Sequence, residues 1–65
     1  MPATIHYHGR NDTDHTAILS VNGQRYEYWL TAQAVETVEH LAKRVSLGKA
    51  FAYAKHHALR WERLR

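Results

Sequence analysis

Six histidines, nine Lys and Arg residues, four Tyr, two Trp and one Phe are the side chains of this 65-residue chain with the most chemical reach. His6 and His8 alternate along an extended segment, so they point the same way and offer two metal ligands. A third ligand would have to come from His15, Asp12 or Asp14, and no ordered zinc-motif spacing links them, so no metal site is expected. His56 and His57 are adjacent on a helical pattern, which turns them about 100° apart and away from a common site. Acid–base chemistry on a phosphate would call on His40, His56 and Lys49, but nothing in their spacing fixes a geometry. The sequence has no nucleophile elbow, phosphate loop or paired-carboxylate spacing. The expectation is a non-enzyme with no catalytic residues and no cofactor.

Binding is better provided for. Residues 1–42 carry Arg10 and Arg25 against Asp12, Asp14, Glu27, Glu36 and Glu39, whereas residues 43–65 carry seven Lys and Arg against Glu62 alone. The overall +3 therefore hides a −3 portion followed by a +6 portion, the pattern of a surface that faces a polyanion. Clustered cations are rewarded by phosphates, and exposed aromatic rings by unstacked bases. The residues expected to meet nucleic acid or another partner are Arg25, Trp29, Lys43, Arg44, Lys49, Lys55, Arg60, Arg63 and Arg65. Trp29 is the expected stacking platform, because Tyr26 and Tyr28 fall on the other face of the same strand and are assigned to the core.

These residues must be positioned by very few elements. One small domain over residues 1–65 is the only arrangement the length allows, and a core this size is close to the lower limit for independent folding, so a homodimer is a natural expectation. The chain has no Cys, no apolar run long enough for a bilayer and no apolar signal-peptide core in Met1 to Arg10. A cytoplasmic protein without membrane contact is expected. Asn22-Gly23 sits between two β-rich runs in Ala17 to Leu30, and such a pair suits a two-residue type I′ hairpin turn. Thr4 to His8 alternates like a further strand, followed by a polar loop over Gly9 to Asp14.

After Leu30 the period lengthens to about 3.6. Val35, Val38, Leu41, Ala42 and Val45 form one stripe, and Thr31 is placed to cap the helix. Ser46 is placed to cap a second helix bearing Leu47, Ala50, Phe51, Ala54 and Ala58. The ending Arg60 to Arg65 fits either a terminal strand, the favoured reading, or a longer second helix. The fold class is α+β, a three- or four-stranded antiparallel sheet packed against two helices. Its expected core is Ile5, Ile18 or Leu19, Tyr26, Tyr28, Val35, Val38, Leu41, Phe51 and Ala54.

Tyr26-Glu27-Tyr28, then a helix, then Ser46-Leu47-Gly48-Lys49-Ala50-Phe51 resembles the KTSC domain family, found at the C-terminus of some lysyl-tRNA synthetases and in small stand-alone bacterial proteins. The resemblance runs from about Ala17 to Leu64, with Tyr26 and Tyr28 on the Y-x-Y, Ser46, Gly48, Lys49 and Phe51 on the S-x-G-[KR]-x-F step, and Trp61, Arg63 and Leu64 at the ending. It implies a small α+β module and a nucleic-acid role. The expected function is a non-catalytic nucleic-acid-binding module, RNA before DNA, acting through the basic C-terminal half. The alternative is a small phage- or plasmid-type protein-binding inhibitor, anti-CRISPR-like, or an adaptor that docks on an acidic surface of a host protein.

Overall fold

Asn22 and Gly23 both adopt positive φ, 53° and 85°, as the expected hairpin turn requires. In the computed structural model, which describes residues 3–65, that turn joins β2 (Thr16–Val21) to β3 (Gln24–Trp29) in unbroken register from Val21 opposite Gln24 to Thr16 opposite Trp29. β1 (Ile5–Asn11) lies antiparallel on the other side of β2. It is longer than the alternation in Thr4 to His8 suggests. A bulge between Tyr7 and Gly9, with Gly9 at φ 115°, absorbs the break in alternation and lets pairing continue to Asn11. The polar loop therefore begins later, and Asn11 Oδ1 holds it by accepting from the Thr13 amide at 2.9 Å.

Helix α1 (Ala32–Arg44) starts where Thr31 Oγ1 accepts from the Ala34 amide at 3.2 Å, and Lys43 and Arg44 occupy its negative end. Val45 departs from the expected stripe: it lies past the helix end with φ −124° and is 52% exposed. Ser46 Oγ then caps α2 (Leu47–His57) through the Lys49 amide at 3.3 Å. At Ala58 the chain turns extended, the Leu59 amide reaches the Trp29 carbonyl at 2.8 Å, and β4 (Arg60–Arg63) runs antiparallel to β3. The terminal segment is thus a fourth strand, and the sheet order is β1-β2-β3-β4 with both helices inserted before the last strand.

Ala17, Leu19 and Tyr28 face the helices and pack with Leu30, Ala34, Val35, Val38, Ala50 and Ala54. Of the expected core, Ile5, Tyr26, Leu41 and Phe51 are only partly buried against this cluster. Leu19 rather than Ile18 is the β2 core residue, because strand alternation sends Ile18 to the helix-free face.

The β1 edge is tied to α1 by charge. Tyr7 donates its hydroxyl to Glu39 Oε2 at 3.3 Å, while Glu39 also meets Arg10 at 3.7 Å and Lys43 at 3.6 Å. Burial, reinforced by the neighbouring Glu39 carboxylate, pushes the Tyr7 hydroxyl up to about 12. A phenol that ionises later in the folded than in the unfolded chain contributes stability below pH 10, and that contribution is lost as pH rises from 10 to 12. Thermal melts across this range are expected to show a falling midpoint, with a shallower fall in Tyr7→Phe. An equally steep fall in that variant would remove Tyr7 as the cause.

Candidate functional site

Four aromatic rings converge where the helices leave the sheet uncovered. α1 and α2 lean chiefly on β1 and β2, so the β3–β4 half of the helix-facing surface is open along one side. Strand alternation places Tyr26 and Tyr28 on this surface, and β4 brings Trp61 directly opposite Tyr28. From α2 come Phe51 and Lys55, one turn apart and on the same side of the helix. Together with Val21 these residues line a groove of about 310 Å³. Trp61 meets Tyr26 nearly edge-on at 5.9 Å, Phe51 meets Tyr28 the same way at 6.4 Å, and Lys55 Nζ lies 5.8 Å from the Phe51 ring centre. Burial grades across the groove, from Tyr28 in the core through half-buried Tyr26 and Phe51 to Trp61, which is 58% exposed. The rim ring offers its π face to a ligand while the inner rings hold the shape.

A second recess of about 330 Å³ is lined by Gly23, Gln24, Arg25, Arg63, Leu64 and Arg65. Arg63 pairs with Tyr26, so this basic patch abuts the turn end of the aromatic groove. It is held by the chain end: Gln24 Nε2 donates to the Leu64 carbonyl at 2.7 Å and the Leu64 amide donates to the Arg25 carbonyl at 2.9 Å. Arg63 therefore stands at one end of the aromatic groove with Arg65 in the recess beside it, Arg25 borders that recess from the helix-free face of β3, and Lys55 stands on the α2 bank of the groove.

The remaining expected site residues are dispersed. Lys43 and Arg44 line a recess with Arg10, Glu36, Glu39 and His40 beside β1, at the opposite edge of the sheet, where Glu39 pairs with Lys43. Lys49 is exposed in the first turn of α2 and lines none of these three recesses. Trp29 is not the free platform expected of it. It is half-buried on the helix-free face, and the Arg60 guanidinium lies 4.4 Å from its ring centre, held there by Glu62 at 2.6 Å. The ring face that a base would use is already stacked.

Among the histidines, His6 and His8 do share the helix-free face with ring centres 6.4 Å apart, and His8 Nε2 is bonded to Ser20 Oγ at 2.9 Å. No group of three or more His, Cys, Asp or Glu able to hold a metal ion comes together among the described residues. His40 lines the recess beside β1 while His56 packs on His57 at 4.8 Å, and they share none of these three recesses. Also among the described residues, no helix is long and apolar enough to cross a membrane.

The groove residues that sequence reasoning missed are Tyr26, Tyr28, Phe51 and Trp61. Their spacing was visible, two apart on a strand and Phe51 four before Lys55 on a helix, but it is equally the pattern of a covered core face. No protein-family model matches the sequence, and no curated protein or solved structure is significantly similar to it.

Proposed function

We propose that the chain is a non-catalytic binder of single-stranded nucleic acid, RNA before DNA, and that the ligand lies in the groove between α2 and β3–β4. The observation that carries this reading is the convergence of Tyr26, Phe51 and Trp61 on one open groove with Lys55 on one bank and Arg63 and Arg65 beside its end. A groove of this kind fits single strands because bases stack on aromatic rings whatever their sequence, while the cations follow the phosphates. A duplex keeps its base faces stacked inside and gains nothing from the rings. The preference for RNA rests on the family resemblance of the Tyr26 to Phe51 segment.

The test is a fluorescence-anisotropy titration of a short labelled RNA of mixed sequence at several salt concentrations. Three cations engaged on a single strand give a slope of log affinity against log salt of about −2. Combining Lys55→Glu with Arg63→Glu is expected to remove at least about half of that slope and to weaken binding on the order of tenfold or more at low salt. Unchanged affinity and slope in the double variant would overturn the nucleic-acid reading. Equal binding of a sequence-matched DNA strand would overturn the preference for RNA. Tight capture of a protein partner with little salt dependence, in the absence of RNA binding, would favour the docking inhibitor instead.

A further inference from the structure

We propose that β4 is a self-recognition edge: two copies of this chain pair antiparallel through β4, with Trp61 opposite the second copy's Trp61, to make one eight-stranded sheet. The two edges of the sheet are built differently. β1 carries a bulge between Tyr7 and Gly9, a common device against edge-to-edge pairing, whereas β4 keeps unbroken register with β3 from Arg60 to Arg63 and all four of its residues are exposed. The Leu64 amide is directed at β3, so period-two alternation points the backbone groups of Glu62 and Arg60 inward and those of Trp61 and Arg63 outward, free to pair.

Charge selects the register. Centring the twofold on Trp61 places Arg60 opposite the second copy's Glu62, and Glu62 opposite its Arg60, as the closely spaced non-hydrogen-bonded pairs. Centring it on Glu62 would oppose two carboxylates, and centring it between Trp61 and Glu62 would oppose Arg60 to Arg63. Within one chain Glu62 faces a like charge, Glu27 on β3, and is paired with its own Arg60 at 2.6 Å. The second copy's Arg60 would add a further counter-charge on the side away from β3. The same pairing brings together two Trp61 rings that are largely exposed in one chain.

Sedimentation equilibrium at about 100 μM protein, without nucleic acid, is expected to give twice the 7.6 kDa chain mass. Glu62→Lys opposes positive charges in both cross-pairs and is expected to give a monomer. The new side chain gains Glu27 across the strand pair and loses the exposed contact with its own Arg60, two small effects of opposite sign, so the thermal midpoint should stay level, which separates lost pairing from lost folding. The charge swap Arg60→Glu with Glu62→Arg restores opposite signs in the same register and is expected to restore the dimer. A monomeric wild type, or a Glu62→Lys variant that remains dimeric, would overturn the proposal. Those two measurements decide it without the swap, and since neither contains RNA, the dimer and the nucleic-acid reading fail separately.

Discussion

Trp61→Ala is expected to weaken RNA binding about 5- to 150-fold, the range that loss of one base–aromatic stack produces, while leaving the domain folded. Trp61 is the outermost ring of the groove and 58% exposed, so removing it deletes ligand-facing surface rather than core. Its packing within the chain is the nearly edge-on contact with Tyr26, worth about 0.5 to 1.5 kcal/mol. Two companion variants separate stacking from bulk. Trp61→Phe keeps a π face and should retain most of the affinity, whereas Trp61→Leu keeps apolar volume without a π system and should resemble Trp61→Ala. Trp29→Leu is the control on the other face, where Arg60 already covers the ring, and should bind as the wild type does. Anisotropy titrations on protein of known sedimentation mass check the series. If Trp29→Leu costs more affinity than Trp61→Ala, the binding surface is the helix-free face and the groove assignment fails.

The largest stability effect is expected at Leu19. It is fully buried at the centre of β2, and Leu→Ala changes at such sites cost about 2 to 5 kcal/mol from lost transfer energy and the cavity left behind. A 65-residue domain has only about 3 to 10 kcal/mol to lose. At about 4 to 8 °C per kcal/mol, the thermal midpoint of Leu19→Ala should fall on the order of 10 to 30 °C. The neighbouring Ile18 points to the helix-free face and is half-buried, so Ile18→Ala should cost well under half as much. Urea denaturation of the two variants measures the contrast directly. Equal losses would mean that β2 is not seated with Leu19 toward the helices.

The local devices of the fold were legible because each depends on a few neighbouring residues. Asn22-Gly23 needs two positive φ angles in succession, and that requirement is satisfied wherever the hairpin lies. Thr31 and Ser46 cap their helices through amides three residues on, again a local matter. Two expectations differ from the structure, one at a helix end and one through a distant contact. Val45 keeps the spacing of the α1 stripe, but the helix ends before it and the residue is left largely exposed. Trp29 alternates onto the helix-free face as expected, yet its use as a platform depends on Arg60, a residue 31 positions later.

The basic C-terminal half shows the same division. Composition established that Lys43, Arg44, Lys49, Lys55, Arg60, Arg63 and Arg65 carry the positive charge, and no rearrangement of the chain alters that. Adding β4 beside β3 decided where the charge goes: Arg63 and Arg65 join Arg25 in one recess next to the groove that Lys55 borders, while Lys43 and Arg44 remain beside Glu39 at the far edge. Local pattern and composition are enough for the α+β class, the hairpin, both capped helices and a polarised charge. That Tyr26, Phe51 and Trp61 form an open groove rather than a sealed core depends on how the elements pack. Amphipathic periodicity reports which side of an element is apolar, whereas burial depends on how far its neighbours extend, and here two short helices reach across β1 and β2 and stop before β4.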